Sequence, residues 1–289
     1  MDRPLKESVE NRLPRYTLGI ILAKLNGSLS RYHCYVIVEG HDDKIFYERF
    51  LDNNACNIYW SQKEDGKDGG CAYLQEIVSH VLKVRGETRI IGIMDTDYRR
   101  FIRGYKMPSN IYNTDRRDME MTVLSTASVN GSLCNWCVRY SSAFTQITPI
   151  IRHIGCLRVI NEIYNLGINF DDISKISIVF DINTHQIRQG WKQTINSLFF
   201  TRKTKKKLCM GSSKCYTILS RYKNIDLFDL AQGHDTLSML GFILNDNDYS
   251  ISKIWEKATS AYSLMDFKQT QLYQRLHDWE VHNNCIIVL

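Results

Sequence analysis

Cys34-Tyr-Val-Ile-Val-Glu39-Gly-His-Asp-Asp43 sets a β-branched, aromatic run against an abrupt acidic stop, and Ile45, Phe46, Phe50 and Leu51 then recur at helical spacing. The first pattern suits a strand and the second gathers its apolar residues on one helix face. The same alternation continues downstream. Asn57 to Trp60 reads as a second short strand, Ser61 to Gly70 as a Gly-rich, charged loop, and Tyr73, Leu74, Ile77, Val78, Val81 and Leu82 as one face of a helix. Arg89-Ile-Ile-Gly-Ile-Met94 is apolar almost throughout, as a strand buried on both faces requires, and it stops at Asp95-Thr-Asp97. Asn110 to Asn113 reads as a fourth strand, and Arg117 to Leu124 as a helix whose first turn carries Asp118 and Glu120. Repeated strand-then-helix units predict an α/β fold built on a parallel, doubly wound sheet.

Beyond about residue 126 the texture changes. Helical patterns run from Phe144 to Leu166, Ile182 to Phe200, Asp235 to Leu244 and Tyr249 to Leu276, with a strand expected over Lys175 to Phe180 and a strand or docked tail over Cys285 to Leu289. The expected division is an N-terminal helical segment over 1–32, an α/β catalytic domain over 33–125 and a mostly helical domain over 126–289.

Composition narrows the function classes. With 289 residues, 44% of them apolar, and only 4 Pro, the chain is an ordinary globular sequence and not a disordered or collagen-like one. No apolar run reaches the roughly 18 to 20 residues that span a bilayer, and Leu18 to Leu25 is broken by Lys24. Nine cysteines, an odd number without framework spacing, predict reduced thiols in a cytoplasmic protein with no membrane association. Cys285 stands fifth from the end of the sequence, where a prenylation box needs the fourth. A net charge of +6 permits a nucleic-acid partner without identifying one. The run Thr201-Arg-Lys-Thr-Lys-Lys-Lys207 suits either a solvated loop or a phosphate-binding patch.

The chemistry gathers at the strand ends, because an open parallel sheet places its functional crevice at the carboxyl ends of its strands. Glu39 closes the first strand, and Asp95 and Asp97 close the third. In an extended segment residues two apart face the same way, so three carboxylates are expected to converge. Unpaired, they would cost several kcal/mol in repulsion and desolvation; a divalent cation turns that cost into a binding site. Oxygen-only ligands suit Mg2+ or Mn2+ and not Zn2+. Asp43, and Glu120 or Asp118, are expected to serve the same site, either as ligands of a second ion or by orienting those of the first. Each also suits a plain helix N-terminus.

Val-Ile-Val-Glu39-Gly-His-Asp-Asp43, then a Gly-containing loop and helix, then Ile-Met-Asp95-Thr-Asp97, resembles the Toprim domain of topoisomerases, bacterial primases and OLD-family nucleases over roughly residues 33 to 125. Asn113-Thr-Asp-Arg-Arg-Asp118-Met-Glu120 and Gly233-His234-Asp235 are similar to the AriB-type effectors of PARIS anti-phage systems. The resemblance implies metal-dependent phosphodiester chemistry, with Glu39 as an acidic catalytic residue and Asp95 and Asp97 as metal ligands. It further implies an effector that disables the infected host, cutting tRNA in preference to DNA, held inactive by a separate ABC-type ATPase and released as a homodimer. The sequence departs from topoisomerases in having no convincing nucleophilic-tyrosine domain, and from full-length OLD nucleases in lacking a Gly-x-x-x-x-Gly-Lys-Ser/Thr motif. The alternative is a non-catalytic Toprim-like scaffold, or partner subunit, of an ATPase complex.

Three other constellations stand beside this set. Cys134, Cys137, His153 and Cys156 have zinc-like internal spacing, but the same spacing fits buried helix faces. His234 and Asp235 suit either the active site or, for Asp235, a helix cap. Arg99, Arg100 and Arg103 follow the Asp-x-Asp turn, where they suit phosphate neutralisation or a solvated loop.

Overall fold

β-branched and aromatic side chains at Cys34–Val38 form strand β1, all five residues buried. A computed structural model describes residues 17–26, 34–63, 67, 69–85, 89–102, 104–170, 178–181, 184, 186–200, 222, 224–244 and 247–289. Helix α1 (Thr17–Asn26) precedes β1; α2 (His41–Tyr47), β2 (Cys56–Trp60), α3 (Gly70–Arg85), β3 (Ile90–Met94) and β4 (Ile111–Asn113) follow it. Then come α4 (Met119–Leu124), α5 (Ala127–Trp136), α6 (Tyr140–Tyr164), a two-stranded antiparallel pair β5 (Phe180–Asp181) and β6 (Gln186–Ile187), and α7 (Trp191–Phe199). The chain continues through α8 (Leu227–Leu230), α9 (Gly233–Leu244), α10 (Ile251–Ala261), α11 (Leu264–Lys268) and α12 (Gln271–Asn283). Among the described residues no helix is long and apolar enough to cross a membrane.

The main sheet has the order β2-β1-β3-β4, and every pairing in it is parallel. The α/β expectation is met, with helices flanking the sheet and a largely helical stretch after it. In α3, Leu74, Ile77, Val78 and Val81 are fully buried against Tyr35, Ile37, Ile90, Met94 and Ile111, which is the face read from spacing alone. Gly92 makes that approach close: a Cβ there would sit 2.7 Å from Leu74 Cδ2 and 3.3 Å from Val78 Cγ2.

The chain divides into two compact units, differently from the expected 1–32, 33–125 and 126–289. The first holds the described residues through Asp95 together with Lys106–Asp115 and Leu264–Leu289; the second holds Thr96–Tyr105 and Arg116–Ser263. The C-terminal helices join the sheet unit for local reasons. Asp115 accepts hydrogen bonds from the Gln271 and Leu272 N–H groups at 2.7 and 2.9 Å, capping α12, and Arg275 Nη1 donates to Asn113 Oδ1 at 2.7 Å. Phe267 stacks on Phe50 with ring centroids 4.9 Å apart. Beyond α12 the docked-tail reading holds: Val288 bridges Leu51 antiparallel, and the buried Glu280 carboxylate accepts the Ile287 and Val288 N–H groups.

Two other expectations change. The helical pattern from Tyr249 to Leu276 is three helices: Ser250 caps the start of α10, extended backbone at Tyr262 ends it, and Thr270 accepts a backbone N–H as the N-cap of α12. Among the described residues between Ile182 and Phe200, helix begins at Trp191, after β6 and Gly190, whose φ of 76° closes off a continuous helix. In the second unit α6 lies close to α8, since a Cβ at Gly155 would meet Leu230 O at 2.6 Å. Of the expected strand over Lys175 to Phe180, residues 175–177 lie outside the described residues and only Phe180 of the rest is strand; the basic run 201–207 lies entirely outside them.

Candidate active site

In the sheet unit, β2 lies outside β1 and β4 outside β3, so the strand order reverses between β1 and β3. That reversal is where open α/β sheets bind ligands, at the carboxyl ends of the strands. Glu39 follows β1 and Asp95 follows β3, and both are half-buried. Glu39 Oε1 accepts the Asp95 backbone N–H at 2.8 Å, so the carboxylate of one strand end is held on the backbone of the other. Buried Ser61 fixes the same edge, its hydroxyl donating to Glu39 O at 2.8 Å and to Gly70 O at 3.2 Å. Asp43 Oδ2 accepts the Gly40 N–H at 2.8 Å, which closes the first turn of α2. Of its two readings, the helix-terminus role is the one this bond displays.

Asp97 belongs to the second unit, and the premise that it shares a face with Asp95 fails locally. The strand ends at Met94, and Asp97 adopts a left-handed φ of 49°, a turn geometry that Asp tolerates better than most residues. Its N–H donates to Arg117 O at 2.7 Å, and its carboxylate takes Arg99 Nη1 at 2.9 Å. Arg99 is thus ion-paired, as is Arg100 with Asp229; Arg103 lies outside the described residues. Among the described residues no group of three or more His, Cys, Asp or Glu side chains is placed to hold a metal ion. Within the sheet unit Glu39 is tied to Asp95 through the Asp95 backbone N–H, and Asp97 falls in the second unit.

The second unit carries a buried polar cluster in which Asp118 and Asp235, singled out in the sequence, are joined by Arg117 and Arg158, which were not. Asp118 is the N-cap of α4: its Oδ1 accepts Met121 N–H at 2.9 Å and its Oδ2 accepts Gly233 N–H, from the start of α9, at 2.8 Å. Gly233 permits this approach, since a Cβ there would stand 2.8 Å from Asp118 Oδ1 and would also strike the half-buried Glu120. Arg117 is buried beside Asp118, lies over the Tyr98 ring at 3.7 Å and donates to Leu230 O at 3.2 Å; burial pushes its pKa down. Asp235 caps nothing by its side chain; it takes Arg158 Nε and Nη2 at 2.9 and 3.0 Å in a bidentate pair, while His234 is exposed. Asp118 was legible as an acidic helix start, but no local pattern marks Arg158 as a partner across α6 and α9.

The zinc-like set does not assemble. Cys134 is exposed, Cys137 and Cys156 are buried, and His153 Nε2 pairs with Asn196 Oδ1 at 3.0 Å while its ring meets Trp191 edge-on. Burial lowers the His153 pKa, favouring the neutral ring.

Asp118→Ala is expected to cost about 2–4 kcal/mol near neutral pH, since it removes a helix cap and strands a buried N–H. Burial, and then the charge of Glu120, raise the Asp118 carboxyl from its ordinary 3.8 to about 7. The folded state therefore keeps a proton that the unfolded chain has lost between those values. Wild type gains stability over the variant as pH falls from about 7 toward 4, and loses that gain as pH rises through about 7. Urea unfolding across this window checks it, and a constant gap overturns it.

A scan against protein-family models and a search of curated proteins both return no match to this chain.

Proposed function

We propose that this chain is a Toprim-type, divalent-cation-dependent nuclease that hydrolyses nucleic-acid phosphodiesters. The observation carrying this reading is the pairing of Glu39 with Asp95 where the strand order of an all-parallel sheet reverses. Two half-exposed carboxylates suit Mg2+, with Mn2+ next, because Mg2+ takes one or two protein carboxylates and completes its shell with water and substrate phosphate. When bound, such an ion supplies Lewis-acid stabilisation of the charge on the scissile phosphate. The chain's own residues do the positioning. The Asp95 N–H fixes one Glu39 oxygen, the Ser61 hydroxyl anchors the Glu39 backbone, and Asp43 sets the start of α2. Asp97 and Glu120 stay in the proposed acidic set on the sequence pattern alone.

In this reading the protein is the effector of an anti-phage abortive-infection system, silenced by a separate ABC-type ATPase and acting as a homodimer once released. Its support is the resemblance in the acidic motifs. tRNA is the favoured substrate over DNA. Purified chain incubated with labelled tRNA and duplex DNA tests it: Mg2+-dependent cleavage, abolished by EDTA, is expected, with tRNA cut faster. Expression alone is expected to arrest growth and co-expression with the ATPase to restore it. A folded chain that cuts neither substrate in Mg2+ or Mn2+ returns the reading to a non-catalytic scaffold.

A further inference from the structure

Beside Glu39, at the carboxyl end of the edge strand β2, stands Trp60. It is in register with Val38, the residue before Glu39, and neighbouring strands lie only about 4.8 Å apart. The next residue, Ser61, bonds Val38 O through its N–H and Glu39 O through its hydroxyl, each at 2.8 Å, so the indole is tied directly to the edge that carries the carboxylate. Trp60 is half-buried, and among the described residues its indole N–H has no acceptor.

Two α2 side chains at i, i+3 attend the ring. His41 meets it edge-on with centroids 5.0 Å apart at 85°, and Lys44 Nζ stands 5.3 Å from its centroid. His41 is 57% exposed, and Lys44 also reaches Glu48 at 3.4 Å. An indole with an unclaimed N–H, a cation over the ring and an exposed imidazole is the combination that holds a nucleobase by stacking while its phosphates meet positive charge. A base inside a duplex is already stacked on its neighbours and must be extracted before it can use such a surface.

We infer that Trp60, with His41 and Lys44, forms a stacking platform for an unpaired base of single-stranded nucleic acid next to Glu39. The inference rests on the nuclease reading, and it names the strand state of the substrate.

The test is binding in EDTA, where no cleavage intervenes. Fluorescence anisotropy of labelled short oligoadenylate and oligodeoxyadenylate is compared with blunt duplexes and with strands carrying abasic sites, using full-length wild type, Trp60→Ala and Trp60→Phe. Trp60→Ala is expected to weaken single-strand binding about tenfold and Trp60→Phe by less than about threefold, with duplex binding unchanged. Trp60-dependent binding of either the RNA or the DNA strand supports the platform. Unchanged single-strand affinity in a folded Trp60→Ala overturns it, as does an equal loss on duplex. If Trp60→Ala does not fold, the abasic arm decides on wild type: about tenfold preference for the base-bearing strand supports the platform, and equal binding overturns it. Failure of the nuclease reading is a separate result, seen as absent cleavage in Mg2+ whatever the anisotropy shows.

Discussion

On the proposed nuclease reading, Glu39→Gln is expected to lower cleavage about 10^3-fold while the protein stays folded. The glutamine keeps a carbonyl oxygen for the Asp95 N–H, so the tie between the β1 and β3 ends survives; what disappears is the charge. Metal-assisted stabilisation of a reacting phosphate is worth several kcal/mol, and about 1.4 kcal/mol corresponds to each tenfold in rate, so the loss is about 10^3-fold in kcat. Half-burial of Glu39 and retention of its one structural bond keep the stability change within about 1 kcal/mol. Single-turnover cleavage in saturating Mg2+ measures the first quantity and urea unfolding the second. A variant that cleaves at the wild-type rate sinks the proposed site, and one that fails to fold shows that Glu39 is structural.

Arg158→Ala is expected to cause a large loss of stability. Asp235 is 4% exposed and holds Arg158 through both oxygens, so truncating the arginine leaves a buried charge without its bidentate partner. Breaking such a pair costs about 3–5 kcal/mol. The guanidinium also lies 4.3 Å over the Phe170 ring, and alanine is too short to cover that face. Burial raises the Asp235 pKa, with Arg158 acting against that rise, so removing Arg158 raises it further. The folded variant then takes up a proton that the unfolded chain lacks, and its stability recovers as pH falls through that raised value. Replacing both partners by apolar residues, Arg158→Met with Asp235→Leu, restores much of the loss because no lone charge remains. Urea titrations of the three proteins check this; a loss below about 1 kcal/mol for Arg158→Ala would show the pair to be inconsequential.

The sheet was legible because its evidence is local. Cys34 to Val38 and Ile90 to Met94 are apolar runs ended by acids, and the face of α3 is a spacing pattern within one helix. Asp43 and Asp118 were legible as helix-start acids, and both do bond backbone N–H groups at helix N-termini. Side-chain alternation, which set Asp97 on the same face as Asp95, holds only while the strand lasts, and the backbone turns left-handed at Asp97, just beyond it. The unit boundaries were illegible because they depend on pairings such as Asp115 with Gln271, 156 residues apart, which no window of sequence displays. Arg158 with Asp235, 77 residues apart, was hidden in the same way.

The return of Leu264–Leu289 to the sheet unit bears on the order of biosynthesis. β4 and Asp115 leave the ribosome well before α12, and the whole span Arg116–Ser263 is made in between. At ordinary translation speeds that interval is on the order of ten seconds, ample for the intervening unit to fold first. The sheet unit therefore gains α11 and α12 only after the whole span Arg116–Ser263 has been made. Until α12 has been made, a nascent chain carries Glu39 and Asp95 without the finished sheet unit around them.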